Sequence, residues 1–233
     1  NVTGNMASGL HFSGIANITG QSFGGLMASG LLNVVGEHMN GLQIAGIANI
    51  TASKLNGVQV ALCNYATKAR GLQIGLVNYY KEDMKGFQLG LVNANPDTKV
   101  QMMVYGGNAT PANIGVRFKN QLFYTILGVG SMYQGLNNKF SASASYRAGL
   151  SFPLYKGLSI SGDLGYQHIE AFDNKDEVIP KRLYALQARA NLEYQFTRKF
   201  GIFATGGYGL TRFYNKSSNY DKGAIIEAGI VLF

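Results

Sequence analysis

Catalysis at neutral pH needs a base beside a nucleophile, a set of metal ligands or a phosphate cradle, and the 233 residues hold few groups placed for any of these. His11, His38 and His168 are scattered, without a carboxylate or cysteine at ligand spacing, so no metal site is expected. No P-loop, dinucleotide-binding glycine fingerprint or Gly-x-Ser-x-Gly elbow occurs. Cys63, the only cysteine, rules out a disulfide within the chain and reads as a small buried side chain rather than a reactive thiol. The reading is a chain that is no enzyme and uses no cofactor. The polar groups that could act together lie instead in the second half: Arg117, Arg147 and Asp163, and, spaced two apart, Gln187, Arg189, Asn191 and Glu193. Such spacing puts them on single faces of strands, so the strands that carry them come next.

From Phe140 to Phe152 one face reads Phe140, Ala142, Ala144, Tyr146, Ala148, Leu150 and Phe152, and the other is serines with Arg147 and Gly149. From Tyr184 to Phe196, Leu186, Ala188, Ala190, Leu192 and Tyr194 stand opposite Gln187, Arg189, Asn191, Glu193 and Gln195. A complete apolar face against a complete polar one fits a half-buried soluble sheet or a membrane barrel turned inside out. Two features favour the barrel. Aromatics gather at the ends of the apolar faces, with Phe152, Tyr194 and Phe196 at one level and Tyr166, Tyr184 and Tyr214 at the other, as interfacial girdles do. The connections also alternate between short, as at Lys119-Asn120, and long and polar, as from Ala171 to Lys181. Eight antiparallel strands are expected, near 99–106, 111–119, 121–133, 139–153, 157–170, 182–196, 200–214 and 223–233. Eight is the smallest closed number, and such a barrel is filled by its own side chains. The inward charges then form a paired plug rather than a channel. His168 falls near the outer end of its strand, where a lipid-modifying barrel could keep a base, but on the apolar face with no Ser partner.

The first half is a repeat. Gly71-Leu72-Gln73-Ile74-Gly75-Leu76-Val77-Asn78 has relatives opening at Gly9, Gly25, Gly41, Gly57 and Gly86, and the closing asparagines are Asn1, Asn17, Asn33, Asn49, Asn64, Asn78 and Asn93. The period of about 15 to 16 residues suits one coil of a parallel β-solenoid per copy, with the asparagines stacked in a hydrogen-bonded ladder and the glycines marking the opposite corner. In this reading Leu72, Ile74 and Leu76 fill the core and Gln73 faces out. The competing reading turns each copy into a barrel strand, giving a single barrel of about fourteen strands; uniform spacing disfavours it. The division is thus 1–97 for the repeats and 98–233 for the barrel. Asn17, Asn49 and Asn108 match glycosylation sequons, but two of them are ladder positions.

Composition agrees with an all-β chain: 31 Gly, 14 Tyr and 13 Phe but only 4 Pro and no Trp. No apolar run reaches the length of a spanning helix. The net charge of +8 is concentrated, with fifteen Lys and Arg against eight Asp and Glu in 99–233. The cations are spread over loops and lumen without stacked aromatics on a polar face, so nucleic acid is not an expected partner. Lys175, Lys181, Arg182, Lys216 and Lys222 in the long loops are suited to lipopolysaccharide phosphates.

The Gly-Leu-Gln-Ile-Gly-Leu-Val-Asn copies resemble the surface-repeat family of outer-membrane proteins of Bacteroidota and spirochaetes. The ending from Glu227 to Phe233, with Gly229 and Val231, is similar to the C-terminal signal read by the barrel-assembly machinery. These resemblances imply residence in the outer membrane of a Gram-negative cell, among lipid, lipopolysaccharide and other envelope proteins, and imply no activity. With a periplasmic C-terminus and eight strands, residue 98 is periplasmic as well, so the repeats hang below the membrane as a structural or accessory part. A surface adhesin and a pore are the alternative roles. The ending also poses a conflict: if Phe233 faces lipid, a period of two sends Glu227 there too, unless a bulge shifts the phase.

Overall fold

The computed structural model describes residues 1–131, 133, 136, 140–172, 182–215 and 218–233. The chain divides into two compact units, Asn1–Thr98 and Lys99–Phe233. No helix among the described residues is long and apolar enough to cross a membrane, which says nothing of strands.

The first unit is one parallel sheet wound into coils. Its strands are β1 (Val2–Thr3), β2 (Ala7–Ser13), β3 (Ala16–Thr19), β4 (Phe23–Ser29), β5 (Leu32–Val35), β6 (His38–Ala45), β7 (Ala48–Val60), β8 (Cys63–Ile74), β9 (Val77–Leu89) and β10 (Val92–Ala94). Each copy pairs with the next in register, so that Gly41 lies beside Gly57, Gly57 beside Gly71 and Asn49 beside Asn64. Equal residues therefore stack at about 4.8 Å along the coil axis.

The glycines do not mark a corner. They stand inside strands, and Gly41, Gly57, Gly71 and Gly86 have φ between +132° and +148°. A Cβ on Gly57 would lie 1.9 Å from the carbonyl oxygen of Gly41. The backbones of successive coils meet there closely enough to exclude any side chain.

The expected phase of the core is also reversed. Gln43, Gln59, Gln73 and Gln88 point inward and are buried, whereas Leu72 and Ile74 are half-exposed and Leu76 is exposed. The reason lies between coils: each inward carboxamide donates to the one before it, at 2.8, 2.9 and 2.8 Å from Gln59, Gln73 and Gln88 in turn. A polar core is affordable where its amides stack on one another, as Gln59, Gln73 and Gln88 do. Toward the other end of each coil the interior becomes apolar, with Phe23, Met39, Leu55 and Ala69 packed on Met27 and Val35. Cys63, expected to be buried, is exposed on the outer side of β8.

The second unit is a closed antiparallel barrel of eight strands, β11 (Lys99–Gly107), β12 (Ala112–Asn120), β13 (Phe123–Ser131), β14 (Ser141–Tyr155), β15 (Leu158–Ala171), β16 (Arg182–Thr197), β17 (Phe200–Phe213) and β18 (Asn219–Leu232). β11 closes the cylinder by pairing with β18 from Met102↔Leu232 to Gly107↔Glu227. The repeats pair only among themselves, so the fourteen-strand arrangement does not form. Long strict alternation in β14, β15 and β16 dictates this architecture, because only closure satisfies the backbone of strands whose outer face is wholly apolar.

Candidate functional site

The barrel interior is where the polar side chains converge, and β16 is its spine. Its inward residues at every second position are Leu183, Ala185, Gln187, Arg189, Asn191 and Glu193, all buried. Toward the end with the short turns, Arg117 grips Glu193 through two bonds of 2.7 and 3.0 Å and donates from Nε to Gln101 Oε1 at 2.5 Å. Beyond it, Arg147 donates from Nε and Nη2 to Asp163 at 2.8 Å each. The Asn191 amide and the Tyr124 hydroxyl complete the carboxylate's shell, each at 2.8 Å. Arg189 then holds Glu227 at 3.1 and 3.2 Å, and Gln187 donates to Gln167, which donates to Ser143. Three guanidiniums thus face three carboxylates, and the bundle is electrically neutral. Past Gln187, Tyr133, Leu136, Ile169 and Leu183 pack in an apolar cluster. The Tyr133 hydroxyl meets Thr211 Oγ1 at 2.6 Å, and burial pushes its ionisation upward, so it stays a neutral partner.

Reading the sequence by alternation brought out Arg117, Arg147, Asp163, Gln187, Arg189, Asn191 and Glu193, and all seven line this interior. Gln101, Tyr124 and Glu227 were missed, and Gln167, which alternation puts on the polar face with Asp163, was left out of the network. Gln101 and Tyr124 sit on the short strands β11 and β13, whose inner faces also carry Met103, Tyr105 and Ile126, so alternation is blurred there. Glu227 resolves the conflict at the C-terminus. β18 runs without a bulge from Ile225 to Leu232, and Glu227, Val231 and Phe233 all face inward. Phe233 packs beside Met103, Tyr105 and Val231, so it is not a lipid-facing residue. Gly229, also on that inner face, leaves room for Tyr105, which a Cβ would approach to 2.4 Å.

The outside of the barrel carries the two aromatic levels. Tyr194, Phe196 and Phe200 form one, in edge and stacked contacts, and Tyr166, Tyr184 and Tyr214 form the other. His168 belongs to the second level: its Nδ1 lies 2.6 Å from the Tyr214 hydroxyl and its Nε2 3.4 Å from Glu170, which Arg182 holds at 2.9 Å. Among the described residues no serine joins it, and these partners are on the outer side of the barrel. Among the residues read as phosphate contacts, Arg182 is exposed and paired with Glu170, and Lys222 is exposed at a mouth cavity of about 450 Å³ beside Asp221 and Tyr133. Lys175, Lys181 and Lys216 lie outside the described residues. No cluster of three metal-ligating groups occurs among the described residues.

In the repeat unit the asparagines form one continuous run of bonds. Each Nδ2 donates to the next Oδ1, from Asn1 to Asn17 at 2.7 Å, then through Asn33, Asn49, Asn64 and Asn78 to Asn93, at 2.9 to 3.1 Å. The second amide hydrogen of most of them reaches a backbone carbonyl, as from Asn33 to Ile44 O at 2.7 Å and from Asn64 to Ile74 O at 2.7 Å. The asparagine and glutamine ladders together make a polar interior at the turn end of each coil.

No protein-family model and no curated protein matches the chain. Among solved structures, it is similar to the N-terminal β-barrel domain of OprF from Pseudomonas aeruginosa, at 16% identity and a TM-score of 0.41, covering 57% of this chain and 93% of that one. It is also similar to neisserial surface protein A, NspA, at 9% identity and a TM-score of 0.39, covering 57% of this chain and 92% of that one. The barrel itself is established by the strand register rather than by these likenesses.

Proposed function

We propose that the chain is a non-enzymatic integral protein of the bacterial outer membrane, with its barrel as a closed anchor and its repeat unit as the working part, a scaffold or accessory subunit of an envelope complex. The observation that carries this is the inversion of the barrel: a neutral, hydrogen-bonded bundle of three arginines and three carboxylates inside, and Leu164, Leu186, Leu192 and Ile226 exposed outside. Ten residues separate the girdle tyrosines Tyr184 and Tyr194 on β16. At about 3.4 Å per residue and a tilt of about 40°, that is roughly 26 Å, the height of an outer-membrane apolar band.

The short connections at 121–122, 156–157 and 198–199 share an end with Lys99 and Phe233, and short turns are periplasmic in such barrels. In this reading the repeats are periplasmic, and the long loops meet lipopolysaccharide through Arg182 and Lys222, with Lys175, Lys181 and Lys216 as further candidates. The C-terminal residues Gly229, Val231 and Phe233 serve the barrel-assembly machinery before they pack inside. Purification in mild detergent tests the scaffold role: co-migrating envelope proteins are expected, and a lone monomer would count against it. Protease added to intact cells tests the side, with the repeats expected to resist; cleavage would favour the adhesin reading.

A further inference from the structure

The exterior of the repeat unit is apolar at the level where its interior is polar. Outside the glutamine ladder runs a column of Leu10, Leu26, Leu42, Val58, Leu72 and Phe87, set by the parallel register of β2, β4, β6, β7, β8 and β9. At the turn after these strands stands a second column, Ile15, Leu31, Ile47, Leu62, Leu76 and Leu91, every member at least 38% exposed. The outer side of the following strands continues it with Leu32, Cys63, Val77 and Val92. The apolar surface therefore wraps around a convex edge, over both faces and the tip between them, for the length of the stack. An apolar patch this large on a folded unit marks an interaction surface.

Its shape and borders identify the occupant. A protein partner seated on one face would leave the tip and the opposite face uncovered, whereas fluid hydrocarbon covers all three. The backbone and amides at the tip are already bonded from coil to coil, as from Val77 N to Leu62 O at 2.9 Å, which is the condition for entering lipid. From Leu72 to Leu76 the apolar zone is about 13 Å deep at roughly 3.3 Å per residue, close to half of a hydrocarbon core of about 30 Å. At the next outward position on the glycine-side strands the ladder turns polar and cationic, with Asn40, Asn56, Arg70 and Lys85 in one column and His38, Lys54, Lys68 and Asp83 in the column beyond. Glu82 neutralises Lys68 at 3.2 Å, and Glu37 stands beside His38. On the other face Tyr65 and Tyr79 are stacked at 5.8 Å. Cations and tyrosines bordering an apolar zone match the headgroup layer.

We propose that the turn edge of the repeat unit is a membrane-inserting surface that dips into one leaflet of a phospholipid bilayer. The proposal rests on the membrane residence proposed above, and Cys63, exposed on the inserting edge, gives the means to test it. The full chain, labelled at Cys63 with an environment-sensitive fluorophore, is reconstituted in vesicles of phosphatidylethanolamine with a minor fraction of phosphatidylglycerol. Emission is expected to shift to the blue, to be quenched by lipids brominated along the acyl chain, and to resist aqueous iodide several-fold better than a label at Lys54→Cys in a Cys63→Ser background. Leu62→Glu with Leu76→Glu, at exposed turn positions that the fold does not need, is expected to abolish quenching by brominated lipid. Equal iodide access at both sites would overturn the proposal, as would protection of Cys63 in cells but not in vesicles, which would assign the surface to a protein. Heat-modifiable gel migration of the same samples reports the barrel separately: its presence with an accessible Cys63 removes this proposal alone, and its loss removes the membrane reading.

Discussion

At the scale of single residues, the lumen separates charges that matter from charges that do not. Arg147 is 1% exposed and Asp163 accepts four hydrogen bonds, two of them from Arg147. Replacing Asp163 by Asn leaves the buried Arg147 guanidinium with only Glu227, 3.8 Å away and shared with Arg189, as counter-charge; breaking a buried pair costs about 3–5 kcal/mol. The expected result is a lower urea midpoint for the heat-modifiable form, most of it regained when Arg147→Met is added, since removing the second charge removes the penalty of an uncompensated buried guanidinium. Arg182→Ala is the contrast. Its side chain is 68% exposed, and loss of its pair with Glu170 should move the same midpoint by no more than about 1 kcal/mol.

At the scale of elements, the repeat strands are fixed by what happens between coils. Gly57→Ala puts a Cβ 1.9 Å from Gly41 O at a φ of +142°, whereas Gly24→Ala meets nothing closer than the Ser8 Cβ at 4.0 Å. The first is expected to unfold the stack locally and raise amide hydrogen exchange across β6 to β8, and the second to leave exchange unchanged. The glutamine ladder ends at Gln43, whose Nε2 has no partner among the described residues because Met27 occupies the next inward place. Met27→Gln would supply an acceptor and move the orphan amide toward half-exposed His11, for an expected gain of about 1 kcal/mol, against a loss of about 2–5 kcal/mol for Met27→Ala. Exchange protection of the repeat strands measures both.

These cases also show which features could be read from the chain. β14, β15 and β16 were legible because more than ten residues alternate without a break, and six of the seven polar positions found on the barrel strands, all but Arg117 on β12, followed from that parity. The core phase of the repeats was not, because leucine-in and glutamine-in have the same period of two, and the choice is made by amides stacking on the next coil. Constancy does not choose between them either: the inner column reads His11, Met27, Gln43, Gln59, Gln73 and Gln88, and the outer one Leu10, Leu26, Leu42, Val58, Leu72 and Phe87. The position of Glu227 stayed open because Ile225, Val231 and Phe233 share its parity, so the inner face of β18 carries apolar residues as its outer face does.

At the scale of the whole molecule, the question is whether the barrel conducts. Cavities of about 450 and 490 Å³ open at its two mouths, the second lined by Lys99, Lys119 and Lys156, and each has room for hydrated ions. Between them the inward residues of β16 step by about 6.8 Å, and each step from Glu193 to Gln187 is bonded to another strand. An ion crossing between the mouths would have to separate Arg117 from Glu193, Arg147 from Asp163 and Arg189 from Glu227. Each separation resembles breaking a buried pair, at several kcal/mol, and the barriers act in series. Purified protein in planar bilayers is therefore expected to show no unitary steps, and Arg117→Ser with Glu193→Ser, which clears one layer, is expected to remain silent because two layers stay closed. Steady ohmic steps from the unaltered protein would mean that the bundle opens in the membrane and would return the pore reading to first place.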